Sequence, residues 1–416
     1  MPKISKILLL AVSVVFVLTI FLGSHATSVS AAGEPQEGAY RQINVYSEVL
    51  RHIQSDYVEE PNIPVVTNGA LRGLLESLDA DSSYLSPTDY KAYKAGMTGD
   101  KGNKAQVGMV VSKRFGYATV VSVVPGSPAD RLNFQDGDIL EAISGVDTRD
   151  LSLAMIQMML EGKPGSELTV SVVRPRKAVP DKVTMTRTVV TEPSASETMY
   201  ENSTIVYLKP VALDRDHVSY IEAKLKANQK AGQKRVLLDL RDVATGDMAE
   251  ATRFANLFLQ SGTIATLEGQ KVQKMTFTAD SSKAVDPSAP LVVLVNRGTA
   301  GPGELVAAAL LDNKRAELVG EKTFGEGAQQ KTFELPDGAA LILSVAKYAS
   351  PSGKKLQDEG VTPGVLVAGP VEDQTSTDEE GDAAQTVTHE ATQPKPPAQI
   401  DEQLNKGLDL LKAKAA

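Results

Sequence analysis

The stretch LVVLVNRGTAGPGELVAAALLDNKRAELVGEKTFGEG, residues 291–327, decides how this sequence folds. It begins with an apolar run, Leu291–Asn296, which is typical of a strand buried on both faces. A glycine-rich turn follows, then a helical pattern over Gly303–Asp312 and a second strand over Glu317–Val319. A strand, a helix and another strand in succession predict an α/β unit, in which helices pack on a sheet.

The same alternation extends in both directions from this stretch. Upstream we predict two further strands and two further helices, and downstream one more strand: Thr204–Leu208, His217–Ala231, Arg235–Leu240, Met248–Ser261 and Ala339–Ala346. Together these segments predict an α/β core over residues 186–370.

The sequence before this core has a different pattern. Residues 98–178 contain short β runs and one helix, Leu151–Leu160, which predicts a compact β-rich binding module. Residues 38–97 show helical periodicity broken by Pro61 and Pro64, with turn-forming residues over 79–87, and predict a small helical module. The whole chain is therefore predicted to be a multidomain α+β protein.

The two ends of the chain carry their own signals. Lys3 and Lys6 precede an apolar run over residues 7–22 and then small residues, so residues 1–32 are predicted to be a signal peptide or, if retained, a membrane anchor. Either reading places the body outside the cytoplasm, in the periplasm or secreted. Residues 371–398 are acidic and proline-rich and are predicted to be a disordered linker.

The last segment, residues 399–416, is predicted to be an amphipathic helix. Four apolar residues share one face of it: Ile400, Leu404, Leu408 and Leu411. Packing of this face on the body is favoured over binding of a partner.

Composition excludes several classes of function. The net charge of −9 argues against a nucleic-acid partner, because phosphate binding needs a basic surface. The absence of cysteine excludes a thiol nucleophile and thiolate metal sites, and no metal or cofactor is predicted. Only His52 and His217 could serve a Ser/His/Asp triad in the body, and both are interpreted as helix-surface residues.

Five segments, in this order, are similar to motifs of the carboxyl-terminal processing, or tail-specific, peptidase family. They lie at residues 71–85, 107–140, 237–241, 319–325 and 348–363. The family consists of exported serine peptidases with a PDZ domain before a Ser/Lys catalytic core. The resemblance implies a PDZ domain at 98–178 and a ClpP/crotonase-like peptidase core at 186–370.

The resemblance also implies that the catalytic dyad is lost. The family places its serine at the start of a helix and its lysine 25 residues later; here those positions are Gly301 and Glu326, at the same spacing. Two neighbouring family positions are kept, Asp312 and Gln330, whereas the glycine turn after residues 239–241 retains only Gly246. These are substitutions rather than misalignment, so an inactive member is predicted.

Three interpretations remain open at this stage. The first is a pseudopeptidase that binds protein C-terminal peptides as a scaffold or adaptor, with an active relative or a second copy as a further partner. The second is a working serine-type endopeptidase, with Thr299 and Lys322 as a displaced dyad. The third is a vestigial fold. In the first, the resemblance places peptide binding at these residues: Val107, Gly108, Met109, Val110, Met155 and Met159.

Overall fold

A computed structural model describes residues 34–98, 104–114, 116–174, 179–232, 235–369 and 400–414. The predicted leader and the predicted acidic linker lie outside these residues. Described residues up to Gly69 form one compact unit, and those from Ala70 onward form a second. No helix within the described ranges is long and apolar enough to cross a membrane.

The helices are, in chain order, α1 (Glu34–Asp56), α2 (Ile63–Glu76), α3 (Pro87–Thr98), α4 (Pro128–Arg131), α5 (Leu153–Leu160), α6 (Arg215–Lys230), α7 (Met248–Asn256), α8 (Pro302–Asp312) and α9 (Glu402–Ala413). The strands are β1 (Ser83–Leu85), β2 (Ala105–Gln106), β3 (Met109–Arg114), β4 (Tyr117–Val123), β5 (Ile139–Ile143), β6 (Val146–Asp147), β7 (Glu161–Gly162), β8 (Glu167–Val173), β9 (Asp181–Thr186), β10 (Ser196–Tyr200), β11 (Ile205–Lys209), β12 (Arg235–Asp239), β13 (Thr263–Glu268), β14 (Met275–Thr278), β15 (Leu291–Val295), β16 (Glu317–Gly320), β17 (Ala328–Glu334), β18 (Ala340–Ala349) and β19 (Val365–Leu366).

The predicted α/β core is built on a six-stranded sheet in the order β10-β11-β12-β15-β16-β19. The five strands from β11 to β19 are parallel, and β10 is antiparallel to β11. Alternate residues of β15 face opposite sides: Val293 and Val295 pack with the core of α6, α7 and α8, whereas Val292 and Leu294 face α9. Burial on both faces explains why this strand reads as a continuous apolar run.

The predicted C-terminal helix exists as α9 and packs on this sheet. Leu408 and Leu411 lie in a buried cluster with Leu237 and Leu294. Helix and sheet approach closely, because a Cβ added at Gly407 would lie 3.0 Å from the side chains of both strand leucines. This geometry agrees with packing on the body, the alternative that was favoured.

A second sheet joins the N-terminal region of this unit to the core. Its order is β1-β18-β13-β14, with β17 also paired to β18. Residues 79–87 were predicted to be turn only, which is wrong for Ser83–Leu85: Tyr84 pairs with Leu341 in an antiparallel ladder. The segment is short, and its partner is distant in sequence, so no local pattern marks it as a strand.

The β-rich module contains the sheet β3-β4-β5-β8-β9. Its predicted end at residue 178 is too early, because β9 (Asp181–Thr186) pairs along its whole length with β8. The short strand, with Val183 and Met185 turned inward, was not predicted, because the sequence just before it, residues 174–180, is charged and contains two prolines. The loops that follow β12 and β15 in the core meet at the carboxyl ends of parallel strands, where α/β proteins place their sites.

Candidate functional site

Gly301 stands where the chain turns from β15 into α8. It is the N-cap of the helix, with φ 50° and ψ −109°, a conformation that residues with a side chain rarely adopt. A Cβ atom added there would meet only Met248 Cε, at 4.0 Å. The position therefore has room for a side chain. It also lies in a sharp strand-to-helix turn of the kind that presents a nucleophile.

Pro302 follows Gly301 as the first residue of α8. In strand-to-helix turns of this kind, the N–H of the residue after the nucleophile commonly donates to the oxyanion. Proline has no N–H, so this donor is missing here. Pro302 was not among the predicted site residues, although it stands directly after Gly301 in the sequence.

Glu304 links the two predicted dyad positions. Its buried carboxylate accepts N–H bonds from Gly301 at 3.0 Å, Gly325 at 2.7 Å and Glu326 at 2.7 Å, and a hydroxyl bond from Thr323. Burial raises the pKa of Glu304 to about 7, although these hydrogen bonds act in the opposite direction. The backbone amides of Gly301 and Glu326 contact the same oxygen, so the structure brings the two positions together.

The Glu326 side chain lines a small cavity of about 100 Å³, whose other polar lining residues are Asp81, Tyr93, Gln157 and Gln330. Burial, with repulsion from Asp81 and Glu304, raises the pKa of Glu326 to about 7. Burial also raises the pKa of Asp81 to about 6. A cluster of carboxyl groups therefore surrounds the position where the resemblance predicts the family's lysine, and in its ionised form it would oppose negative charge on a nearby reacting oxygen.

The two retained neighbours both hold loops in place. Asp312 Oδ2 accepts the backbone N–H of Ser352 at 2.9 Å. Gln330 Nε2 donates to the carbonyl oxygen of Asp81 at 2.6 Å. These contacts give each residue a structural role that does not require a dyad.

Thr299 and Lys322, the alternative dyad, occupy different environments. Thr299 is fully buried; its hydroxyl donates to Leu240 O at 2.8 Å and accepts from the Asn296 N–H at 3.1 Å. Lys322 is exposed and lines a cavity of about 530 Å³ between the PDZ-like module and the core. No hydrogen bond in the described part of the chain joins them.

The turn after β12 crowds the start of α8. The Asp242 side chain accepts from Asn296 Nδ2 at 2.7 Å, and the carbonyl oxygen of Val243 accepts the N–H of Ala300 at 3.1 Å. A Cβ added at Gly303 would lie 2.5 Å from that same carbonyl oxygen. The Asp242 N–H donates to Asn296 Oδ1 at 3.0 Å, but at Ala300 and Gly303 the turn presents only the carbonyl oxygen of Val243, an acceptor.

The predicted peptide-binding loop precedes an edge strand. Within the described residues β3 (Met109–Arg114) pairs with β4 alone, so its other edge is available to an added strand. Gly108 has φ 81°, and a Cβ there would lie 2.2 Å from Ser127 Cβ. The carbonyl of Val107 accepts the N–H of Ala129 at 3.0 Å, which fixes the loop on α4.

Helix α5 lies alongside the free edge of β3. Met155 and Met159 are half-buried and pack on the module's own core, and Met155 also contacts a second cluster around Leu85. Lys113 Nζ donates to Leu151 O at 2.7 Å and ties the end of β3 to the start of the helix. Met159 thus remains the better candidate of the two for the groove.

The histidines do not form a hydrolytic triad in the described structure. His217 Nδ1 pairs with Asp214 at 2.8 Å, but Nε2 contacts the carbonyl oxygen of Pro193 at 3.0 Å, where a serine hydroxyl would be needed. His52 lies on an exposed helix between Glu48 and Asp56.

Comparison with known proteins identifies the family. Residues 204–367 match peptidase family S41, and residues 119–174 match a PDZ domain. A carboxyl-terminal-processing protease of Picosynechococcus sp. is 33% identical over 302 residues, which cover 72% of each chain. The chain belongs to the carboxyl-terminal-processing peptidases of family S41.

Other relatives agree with this membership. The chloroplastic carboxyl-terminal-processing peptidase 2 of Arabidopsis thaliana is 28% identical over 393 residues, covering 85% of this chain and 74% of the relative. The solved photosystem II D1 C-terminal processing protease shares the fold, with a TM-score of 0.66 and 24% identity over 78% of this chain and 92% of that one. The S41 family is a serine-type peptidase family, and the resemblance to it and the multidomain α+β fold with a PDZ domain are confirmed.

Proposed function

We propose that this S41 member is a pseudopeptidase, an exported scaffold or adaptor that binds protein C-terminal peptides through its PDZ domain. One observation carries the proposal: the residue at the turn into α8 is Gly301, which has no side chain to attack a peptide carbonyl. The open space around it shows that packing does not demand glycine there.

Three features of the surroundings support the proposal. Glu326 replaces the lysine and, with Asp81 and Glu304, gives the site a cluster of carboxyl groups rather than a neutral amine. Pro302 removes one candidate oxyanion donor, a loss worth about 3 kcal/mol at the transition state in other enzymes. The carbonyl of Val243 faces the same segment.

Peptide binding is supported by the free edge of β3, by the left-handed Gly108 before it and by α5 alongside. An extended peptide can add to such an edge through main-chain hydrogen bonds, and backbone amides can hold its terminal carboxylate. The predicted leader at residues 1–32 supports a location outside the cytoplasm, and the disordered linker at residues 371–398 is likewise part of the proposal.

The second candidate is an active endopeptidase that uses Thr299 and Lys322. Membership of a peptidase family favours it. However, the Thr299 hydroxyl is committed to two backbone groups, and moving a nucleophile by about 1 Å already costs much activity.

A cleavage assay separates these functions. The purified protein is incubated with an unstructured polypeptide that has an apolar C-terminal tail, and products are followed by time-resolved mass spectrometry. The Picosynechococcus relative serves as the positive control. We expect no turnover. Cleavage that disappears in Lys322→Ala, an exposed position that should fold normally, would establish the displaced dyad instead.

Calorimetry tests the binding function. Peptides with a free C-terminus should bind, and their amidated counterparts should bind at least tenfold more weakly. Met159→Ala should weaken binding, whereas Met275→Ala, at a half-exposed methionine of another sheet, is the matched control. Equal binding of free and amidated peptides would remove the PDZ part of the proposal.

A further inference from the structure

The chain passes from the PDZ sheet into the core beside a cavity of about 810 Å³. The connecting segment and the start of α6 contribute titratable side chains to its lining, namely Glu192, Asp214, Asp216 and His217. The proposed function uses none of them.

The hydrogen bonds of His217 show that a positive charge is needed between its Nδ1 atom and the Asp214 carboxylate. The side chain is only 10% exposed, and Nε2 lies 3.0 Å from the carbonyl oxygen of Pro193. A carbonyl oxygen can only accept, so Nε2 carries the ring proton. Nδ1 lies 2.8 Å from Asp214 Oδ1, which is also an acceptor. In a neutral ring the Nδ1 lone pair would therefore face a carboxylate oxygen with no positive charge between them.

Either a second ring proton or a metal ion can resolve this arrangement. A proton brings one positive charge and serves only His217 and Asp214. Glu192 belongs to the same cluster, and one ligand atom from each of the three side chains lies within 4.8 Å of the others. A divalent cation brings two charges and can bind all three side chains at once.

We propose that Glu192, Asp214 and His217 form a binding site for a divalent transition-metal ion, Zn²⁺ being the best match. Histidine nitrogen and carboxylate oxygen are both zinc ligands, and a site with three protein ligands can take water as the fourth, whereas Ca²⁺ and Mg²⁺ prefer oxygen ligands alone. The bond from Nε2 to Pro193 O holds the ring in the tautomer that presents Nδ1, as backbone carbonyls commonly do for metal-binding histidines. The cavity leaves room for water as the remaining ligand.

The carboxylates keep coordination capacity beside their existing contacts. Asp214 caps α6 by accepting the N–H of His217 at 2.9 Å, and Glu192 accepts the Thr245 hydroxyl at 2.8 Å. Each carboxylate offers about four lone-pair positions. The positive end of the α6 dipole opposes a cation, so affinity should depend on every carboxylate in the set.

Bound metal would have a structural effect. It would fasten the connecting segment to α6 and, through Glu192 and Thr245, to the turn at residues 242–247 beside Gly301. Metal binding at this cluster does not depend on whether the protein cleaves peptides.

Calorimetric titration of metal-free, tag-free protein with Zn²⁺ tests the site, with Co²⁺ absorption as a second readout. One ion should bind per chain, and Co²⁺ should give a d–d band. His217→Gln and Glu192→Gln should each weaken binding by at least about 100-fold, because loss of an outer-shell partner alone costs about 10–100-fold. His52→Gln is the control, because His52 also lies between two carboxylates but on an exposed helix.

Several outcomes would overturn the assignment. These are no binding at micromolar Zn²⁺, unchanged binding in both His217→Gln and Glu192→Gln, or loss of the ion in His52→Gln. Circular dichroism checks that the variants fold, and Glu192→Gln preserves side-chain shape if His217→Gln does not. ¹⁵N NMR that finds both His217 nitrogens protonated with one equivalent of Zn²⁺ present would show that a proton takes this place.

Discussion

Two left-handed glycines stand at the two places where this protein would meet a peptide, and their surroundings differ. A side chain at Gly108 would lie 2.2 Å from Ser127 Cβ, whereas one at Gly301 would meet nothing closer than Met248 Cε at 4.0 Å. Packing therefore explains the glycine in the PDZ loop. It does not explain the glycine at the peptidase position, where only the backbone conformation favours it.

The neighbours of the two glycines reinforce the contrast. Around Gly108 the loop is fixed on α4 through Val107, and the edge strand β3 is tied to the start of α5 by the bond from Lys113 to Leu151. Around Gly301 the following residue is a proline, the lysine position holds Glu326, and Val243 turns a carbonyl toward the site. The proposed loss of cleavage therefore rests on several contacts around Gly301 rather than on one missing hydroxyl.

The largest effect is expected for Gly108→Ala. The new Cβ would overlap Ser127 and also require a left-handed alanine, so we expect a loss of about 3 kcal/mol in the free energy of unfolding and loss of peptide binding. Urea denaturation measures the first. Gly116→Ala is the matched control, with φ 86° but nothing within 4 Å, and should cost about 1 kcal/mol. Equal losses would mean that packing does not dictate Gly108.

Gly303→Ser should come next. Its Cβ would lie 2.5 Å from the carbonyl oxygen of Val243, so the turn or the helix must move, at about 2 kcal/mol. Gly364→Ser, where no atom lies within 4 Å, should be near neutral by the same thermal or urea unfolding. A neutral Gly303→Ser would mean that the turn at residues 242–247 can return to a path compatible with a serine.

Glu326 should give the protein a pH-dependent stability. Burial raises its pKa from 4.5 to about 7, so the folded protein binds this proton more tightly than the unfolded chain. This stabilisation is complete below about pH 4.5 and is lost as the pH rises through about 7. Glu326→Gln should therefore unfold less readily than the parent at pH 8, by about 2 kcal/mol, and show little difference at pH 4.

Denaturation at a series of pH values checks this expectation. Glu359→Gln, at an exposed carboxylate, is the control and should leave the pH profile unchanged. A Glu326→Gln profile parallel to the parent's would mean that water reaches this side chain freely.

The sequence allowed the core strands and helices to be predicted. For example, β15 carries apolar residues on both of its faces, such as Val293 and Leu294, and this pattern indicates a buried strand. It did not allow β1 to be predicted, because Tyr84 finds its partner Leu341 far along the chain. The short strand β9 was missed because the sequence just before it is charged and contains two prolines.

The candidate site divides in the same way. The resemblance to the family's motifs predicted Gly301 and Glu326 as the dyad positions, and the structure adds that Glu304 joins their amides. The joining role of a buried glutamate depends on burial and on three separate N–H donors, which no linear pattern reveals. The cluster of Glu192, Asp214 and His217 likewise forms only when the connecting segment folds against α6.

The smallest stability change is expected for Gly301→Ser, at about 1 kcal/mol, since space is available and only the backbone conformation is unfavourable. The double variant Gly301→Ser with Glu326→Lys should nevertheless cleave only very slowly. A lysine at position 326 would lie near Asp81 and Glu304, whose carboxylates favour its charged form, and a general base must be neutral.

Adding Pro302→Ala to that double variant restores an N–H at the start of α8. If the missing donor limits the rate, cleavage should rise by about 10²–10³-fold, the usual effect of one oxyanion donor. Mass-spectrometric cleavage rates for the double and triple variants, with Pro302→Ala alone as the control, measure this difference. A double variant that cleaves as fast as the triple one would show that Gly301 and Glu326 alone account for the absence of cleavage at this site. The contrast between this site and the PDZ domain would then come from two side chains.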